Sequence, residues 1–216
     1  MKTKKLAGIK AIGLDVDGTL YKMPTKLSAI MGMKVIKWAA EKLGRDEDEF
    51  AQEYLERRDN YRSNTLTLNS YGLNGEEIFQ KVGDEFPLDQ FLGRDEKLVI
   101  LINNLKRKYQ LFIITNGTGR QVEKKLKVLG LNYHDFEPRI YCYDQGWIKP
   151  EPAPFLAAIE ALQLRPEAMV YVGDREDVDV EGAKSVGMKA VLVGGMSRLA
   201  DQSVVDIYHL RDIFLN

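Results

Sequence analysis

The sequence predicts an α/β fold, a doubly wound parallel sheet with an all-helical segment inserted after the first strand. Three observations support this prediction. A short apolar run near the start ends at two aspartates, Asp15 and Asp17. No strand pattern appears between residues 22 and 92, whereas from residue 93 onward strand-length apolar runs alternate with segments of helical periodicity. That alternation is typical of a parallel sheet covered by helices on both faces. We therefore expect a core of residues 1–21 and 93–216 and a helical insert of residues 22–92.

The first predicted strand lies within residues 9–16 and places Asp15 and Asp17 on one side of its carboxyl end. Residues two apart on a strand point to the same side, roughly 6–7 Å apart. Two carboxylates are costly to bury there unless a cation joins them. Gly18 permits a sharp turn, and we expect the Thr19 hydroxyl group to bond back to the chain and hold that turn. The stretch therefore predicts a site for one hard cation and one reacting group.

Three helices are predicted in the insert because apolar residues recur there at helical spacing. Gly44 is expected to end the first helix, and Asp46 followed by Glu49 resembles the capping box that begins a second. A turn-rich piece at 69–75 precedes the third. The apolar residues lie within 27–43, 50–61 and 78–82.

Helices and strands alternate in the remaining core segment. Asp95 is expected to cap the first helix, Gly130 to end the second, and Pro152 to open the third. The predicted strands are 110–114, 139–143, 169–172, 190–193 and 205–210, and the predicted helices are 98–105, 120–129, 152–162 and 178–186, followed by a turn at 213–215.

The composition favours a cytoplasmic protein that acts on small molecules. The 31 basic and 32 acidic residues give a net charge of −1, which gives no indication of a nucleic-acid or membrane partner. The strongest apolar run, 98–102, is far too short to span a membrane, and no apolar signal region follows the basic residues 1–6. The single cysteine, Cys142, fits a reducing compartment. Two histidines, His134 and His209, disfavour a histidine-rich zinc site.

Polar residues follow four of the predicted strands at their carboxyl ends, where ligands bind in open α/β sheets. They are Asp15 and Asp17, then Thr115, Asn116 and Gly117, then Lys149 and Pro150, and finally Asp174, Asp177 and Asp179. We expect these residues to converge on one edge of the sheet. Carboxylates gathered there would bind Mg²⁺, a hard cation that prefers oxygen ligands.

The combined set suits a phosphoryl group and its metal. Thr115 and the Asn116 and Gly117 amides, which open a helix, make a cradle for an anion, and Lys149 adds a positive charge. Hydrolysis of a phosphate monoester can require an acceleration approaching ~10²¹-fold, whereas one acid or base group contributes about 10²–10⁴. A carboxylate nucleophile, a metal and preorganised charge must therefore act together.

In order along the chain, these segments resemble the four motifs of the haloacid dehalogenase-like (HAD) hydrolase superfamily, in its phosphatase branch. The segments are 15–19, 114–117, 149–150 and 173–179. The resemblance covers essentially the whole chain outside the insert, and the insert stands where the family carries its helical C1-type cap. The resemblance implies a Rossmann-like catalytic core and a cap that closes over the substrate.

The resemblance also implies a role for each motif residue. Asp15 would be the nucleophile that forms an aspartyl-phosphate, and Asp17 would protonate the leaving oxygen and then activate water. The phosphoryl oxygens would be bound by Thr115, Asn116, Gly117 and Lys149. Mg²⁺ would be bound by Asp15, the backbone carbonyl of Asp17, and Asp174, with Asp179 supporting those ligands.

Two residues refine these implications. Asp17 favours phosphate-ester hydrolysis over dehalogenation, because a leaving alkoxide needs a proton and a leaving halide does not. Arg175 stands where the family often has a small residue. We expect this arginine to reach a substrate charge or to pair with Glu176 or Asp177. Asp177 stays open as the alternative to Asp179 for the supporting role.

The expected function is Mg²⁺-dependent hydrolysis of a small soluble phosphomonoester, with a nucleotide, phosphoglycolate or a sugar phosphate as the substrate. Two alternatives stay open. One is a phosphomutase such as a β-phosphoglucomutase-like enzyme, and the other is a non-catalytic phosphate-binding module on the same fold. We expect a monomer or homodimer without a nucleic-acid polymer or a membrane as partner.

Overall fold

Six strands form one parallel sheet within the residues that this computed structural model describes, namely 6–61, 63–85 and 88–215. The strands are β1 (Ala11–Leu14), β2 (Gln110–Thr115), β3 (Arg139–Tyr141), β4 (Met169–Gly173), β5 (Lys189–Val193) and β6 (Gln202–Val204). Their order across the sheet is β3-β2-β1-β4-β5-β6, and every neighbouring pair is parallel. The chain winds outward from β1 in both directions, which confirms the predicted fold class.

The described residues form two compact units. One contains the residues up to Lys22 and those from Leu92 onward, and the other is Met23–Phe91. These limits lie one residue from the predicted boundaries. The basic residues 1–5 lie outside the described part of the chain.

The sheet is buried on both faces because its side chains alternate between two apolar clusters. In β1, Ile12 and Leu14 contribute to one cluster and Ala11 to the other. In β4, Val170 lies in the first cluster and Tyr171 in the second. Strands buried on both sides are near-continuous apolar runs, which is why the sequence showed them clearly.

Helices cover both faces of the sheet. They are α5 (Glu96–Leu105), α6 (Gly119–Leu129), α7 (Pro152–Leu162), α8 (Glu181–Ser185) and α9 (Leu210–Phe214). The numbering starts at α5 because four described helices of the other unit precede these helices in the chain. The Asp95 side chain accepts a hydrogen bond from the Leu98 N–H at 3.0 Å, and Gly130 ends α6 in the left-handed region. The cap at Asp95 confirms the predicted start of α5, and the position of Gly130 confirms the predicted end of α6.

Three predicted core elements require correction. The predicted strand at 205–210 is wrong: the strand ends at Val204, residues 207–209 form a 3₁₀ turn, and α9 follows. Asp206 causes the change, because its side chain accepts a hydrogen bond from the Tyr208 N–H at 3.0 Å and so caps a helical turn. The predicted strand 139–143 ends at Tyr141, and the predicted helix 178–186 is a π-helical turn over 176–180 followed by α8.

The regular elements described in the second unit are all helical. Its helices are α1 (Thr25–Leu43), α2 (Glu47–Tyr61), α3 (Asn64–Asn69) and α4 (Gly75–Asp84). Gly44 ends α1 in the left-handed region, and the Asp46 carboxylate accepts a hydrogen bond from the Glu49 N–H at 3.1 Å. The short helix α3 was not predicted, because its six residues do not complete the repeat that a periodic pattern needs. None of the described helices is long and apolar enough to cross a membrane.

Candidate active site

The carboxyl ends of β1, β2 and β4 bring together most of the predicted site residues. Asp15 directly follows β1, and its backbone N–H donates a hydrogen bond to the Val172 carbonyl in β4 at 2.9 Å. Thr115 is the last residue of β2 and is buried. Because β1 lies between β2 and β4, Asp15 stands at the centre of this edge.

Gly18 makes the turn after β1 and lies against Asp174. Its φ angle is +84°, a conformation that glycine adopts without strain. A Cβ atom at Gly18 would also overlap the Asp174 carboxylate, so the position has no room for a side chain. The Leu20 N–H closes the turn on the Val16 carbonyl at 3.0 Å. The expected bond from Thr19 is wrong, because its buried hydroxyl oxygen has no partner among the described residues.

Lys149 is the centre of the charged network. Its Nζ atom is 2.9 Å from Asp15 Oδ1, 2.7 Å from Asp179 Oδ1 and 2.9 Å from the Tyr171 hydroxyl oxygen. The lysine is 3% exposed. Burial acts to lower the pKa of Lys149, but the two carboxylates outweigh burial and raise this pKa well above its usual range. The ammonium group therefore stays charged and engages all three of its N–H donors.

The Asn116 side chain holds the backbone of Lys149. Its Oδ1 atom accepts a hydrogen bond from the Lys149 N–H at 2.8 Å, and its Nδ2 atom donates to the Lys149 carbonyl at 3.3 Å. A Cβ atom at Gly117 would make only ordinary van der Waals contacts, at 3.8 Å from Gln121 and Thr115, and Thr118 caps α6. The segment after β2 therefore lies at the start of a helix, as the sequence indicated.

Asp15, Asp174 and Asp179 form an acidic group that could hold a metal ion. One carboxylate oxygen from each lies within 4.8 Å of the other two. Burial raises the pKa of Asp15 to about 6, although Lys149 acts against this shift. Burial, together with the neighbouring Asp15 and Asp179, raises the pKa of Asp174 to about 7. A donor set made only of carboxylate oxygens fits Mg²⁺, which would relieve the repulsion among these groups.

Asp179 and Asp177 differ in position. The Asp179 carboxylate binds Lys149 and also accepts a hydrogen bond from the Arg175 N–H at 3.0 Å. A Cβ atom at Gly173 would overlap the Asp179 carboxylate, so this glycine admits the aspartate to the edge of the sheet. Asp177 instead pairs with the Arg175 guanidinium at 2.9 Å. Arg175 thus pairs with Asp177, which is one of the two acidic partners that the sequence suggested.

Asp17 is held by two residues to which the sequence analysis assigned no role. The Lys125 ammonium group lies 2.6 Å from Asp17 Oδ2, and the Tyr21 hydroxyl donates a short hydrogen bond to Oδ1. Burial acts to raise the pKa of Asp17, but Lys125 and Tyr21 together hold this pKa below its usual value. One signal in the sequence could have identified Lys125. It lies three residues after the buried Val122 on α6, and so borders the buried face of that helix.

Buried carboxylates paired with a lysine lie at the end of a central strand of this open α/β sheet. Such an arrangement at this place is typical of an enzyme active site. The family model described as haloacid dehalogenase-like hydrolase matches residues 9–187, and the chain belongs to that family.

Individual relatives agree with this assignment. A solved HAD phosphatase from Thermococcus onnurineus is 32% identical, with a TM-score of 0.67 over 95% of this chain and 97% of that one. A glyceraldehyde 3-phosphate phosphatase from Methanopyrus kandleri is 28% identical over 86% of this chain and 84% of that protein. A protein of the same name from Pyrococcus furiosus is 38% identical over 42% of this chain, which matches 38% of the length of that relative.

Proposed function

We propose that the protein is a Mg²⁺-dependent phosphatase that hydrolyses a small phosphomonoester through an aspartyl-phosphate on Asp15. The observation that supports it most strongly is the position of Asp15. This carboxylate is bonded to Lys149 and lies within 4.8 Å of two further aspartates, and Asp17 is two residues away. The site therefore combines a nucleophile, an acid–base group, a fixed positive charge and a cation-binding set.

In the first step, the Asp15 carboxylate forms a bond to phosphorus while the ester P–O bond breaks. Asp17 gives a proton to the leaving alkoxide oxygen. The Lys149 ammonium balances negative charge beside the reacting carboxylate. A bound Mg²⁺ would lower the repulsion between the carboxylate and the phosphoryl group. Because the pKa of Asp15 is only about 6, the nucleophile is ionised at neutral pH.

In the second step, water attacks the phosphorus of the aspartyl-phosphate, and Asp17 takes a proton from this water. Phosphate is released and the Asp15 carboxylate is regenerated. Lys125 and Tyr21 favour ionised Asp17, which is the form that accepts this proton. In the first step, the negative charge of a bound phosphoryl group would favour protonated Asp17.

We propose a diffusible phosphorylated metabolite as the substrate, with sugar phosphates, phosphoglycolate and nucleotides as the classes to test. The names of the Methanopyrus kandleri and Pyrococcus furiosus relatives favour a three-carbon sugar phosphate. We propose that the helical unit Met23–Phe91 acts as the cap that selects the leaving group. The enzyme would act in the cytoplasm as a monomer or homodimer.

The test is a panel of phosphomonoesters assayed for phosphate release with Mg²⁺ and with a chelator. We expect release from at least one three-carbon or sugar phosphate, and only with the metal. Conversion of a hexose 1-phosphate to its isomer without phosphate release would instead support the phosphomutase alternative. Absence of turnover on the whole panel, with phosphate still bound, would support the non-catalytic module.

Mg²⁺ is expected to stabilise the protein more at alkaline pH than at acidic pH. The folded-state pKa values of Asp15, about 6, and Asp174, about 7, lie above the ordinary value of 3.8. At these two carboxylates the folded chain therefore holds more protons than the unfolded chain between about pH 4 and pH 7, so their contribution to the free energy of unfolding of the metal-free protein falls as pH rises through this window. Mg²⁺ binds the ionised carboxylates and therefore restores the stability that their deprotonation removes.

Thermal unfolding at about pH 5 and about pH 8, with MgCl₂ or with NaCl of equal ionic strength, measures this effect. The increase in Tm caused by Mg²⁺ should be clearly larger at the higher pH. An equal increase at both pH values would contradict Mg²⁺ binding by these aspartates.

Replacement of Lys125 by Met is expected to raise the pKa of Asp17. The substitution removes the ammonium group that lies 2.6 Å from the carboxylate and keeps a side chain of similar length. The limb of the pH profile of kcat/KM that reports Asp17 should therefore move to higher pH. Lys127→Met is the matched control, because Lys127 is an exposed lysine of the same helix. If both variants gave the wild-type profile, the assignment of Lys125 to Asp17 would be incorrect.

A further inference from the structure

Tyr171 places a neutral hydroxyl group against the Lys149 ammonium. The hydroxyl oxygen accepts a hydrogen bond from Lys149 Nζ at 2.9 Å, and the hydroxyl group donates to the Ile114 carbonyl in β2. The tyrosine lies in the middle of β4 and is only 1% exposed. Its hydroxyl group therefore connects the end of one strand to the lysine of the site.

The fold makes room for this ring and fixes its direction. Gly13 of β1 lies opposite Tyr171 in the sheet register, and a Cβ atom there would be 2.8 Å from the tyrosine ring and would overlap Phe112. Phe155 also packs edge-on against the tyrosine ring, with centroids 5.2 Å apart and planes at 88°. A Cβ atom at Gly182 would in turn overlap Phe155. Glycine is unfavourable inside a strand, so Gly13 is explained by the space that the rings occupy.

The Tyr171 hydroxyl group fixes the position of the Lys149 ammonium, which the two carboxylates do not fix by themselves. Asp15 and Asp179 both attract the Lys149 ammonium, and neither by itself fixes its position between them. A third hydrogen bond, to an oxygen held by a rigid ring, defines the place of the Nζ atom. An ammonium group has three N–H donors, so this bond completes its set.

We propose that Tyr171 is a positioning residue, whose hydroxyl group holds the Lys149 ammonium where it supports Asp15 as the attacking carboxylate. This inference rests on the proposed function of the site. It assigns Tyr171 no contact with the substrate. Loss of the hydroxyl group should therefore slow the chemical step and leave substrate binding nearly unchanged.

The test compares Tyr171→Phe with Tyr109→Phe in the full chain. The first variant keeps the ring and removes the hydroxyl group. The second removes a similar bond, from the Tyr109 hydroxyl to the Phe214 carbonyl at 3.0 Å, next to the start of β2 and therefore at the opposite edge of the sheet. For each protein kcat, KM, Tm and the Mg²⁺-induced change in Tm are measured, with kcat expressed per folded molecule from circular dichroism.

We expect Tyr171→Phe to lower kcat at least about tenfold, with KM within about twofold of wild type and the Mg²⁺-induced change in Tm retained. Tyr109→Phe should keep the wild-type kcat. The proposal is overturned if Tyr171→Phe keeps kcat within about twofold of wild type, or if kcat and the response to Mg²⁺ are lost together. A wild-type protein without phosphatase activity would overturn the proposed function and this inference with it, whereas an active wild type with an unaffected variant overturns this inference alone.

Discussion

Asp15→Asn is expected to lower kcat by about 10⁴-fold or more, which is the scale of loss when a nucleophile is removed from a concerted site. The amide has the shape of the carboxylate but cannot form the bond to phosphorus under these conditions. Phosphate release, measured with the best substrate of the panel, gives the size of the loss.

The same substitution should leave the fold intact. Asp15 is crowded by Asp174 and Asp179, and burial has raised its pKa to about 6, so its ionised form costs stability in the metal-free protein. An uncharged amide removes that cost. We therefore expect the metal-free variant to have a Tm at least equal to that of the wild type near neutral pH. Loss of activity in a stable protein would separate catalysis from folding.

Asp177→Asn is the matched control for this substitution. Asp177 is a nearby aspartate that pairs with Arg175 at 2.9 Å and lies outside the acidic group of three. Its kcat should stay within a few-fold of wild type. If Asp15→Asn released phosphate at a rate similar to that of Asp177→Asn, Asp15 could not be the nucleophile, and the non-catalytic alternative would gain support.

The sequence was most informative about the core sheet because of how parallel sheets are built. Strands buried on both faces are short apolar runs, and their carboxyl ends share one edge. Polar residues such as Asp15 and Asp174 could therefore be assigned to one edge from chain order alone. The end of the chain was misread because Val205 continues an apolar run that Asp206 interrupts by capping a turn. A single side-chain hydrogen bond outweighed the local pattern there.

The partners of the site residues could not be read from the sequence in the same way. Helical periodicity places Lys125 beside the buried face of α6, but it does not say which strand end that face meets. From the sequence, Tyr171 is only a buried aromatic residue of a strand, because its hydroxyl group reaches past β1 to a carbonyl of β2, a strand that is not its neighbour. For Asn116 the sequence indicated a role only for the backbone amide, and it gave no sign that the side chain holds the backbone of Lys149. Such contacts depend on tertiary structure.

Lys149→Met is expected to reduce both stability and activity. Lys149 is 3% exposed and pairs with Asp15 at 2.9 Å and with Asp179 at 2.7 Å. Removing one partner of a buried ion pair leaves uncompensated charge and typically costs about 3–5 kcal/mol. We expect a loss of this size in the free energy of unfolding of the metal-free protein near neutral pH. The kcat should fall by about 10³-fold or more, because the charge beside the attacking carboxylate is lost.

The loss of stability should depend on pH with a definite sign. Lys149 acts to lower the pKa of Asp15, so its removal raises this pKa further, and acid then neutralises the buried carboxylate. The variant should therefore lose less stability at about pH 5 than at about pH 8, as urea unfolding at both pH values would show. Lys184→Met is the control: Lys184 pairs with Asp201 at 3.0 Å in a solvent-exposed position, and such pairs contribute about 0–1 kcal/mol. If the two variants lost the same small amount at both pH values, Lys149 would not be balancing buried charge, and the site would have to be held together in another way.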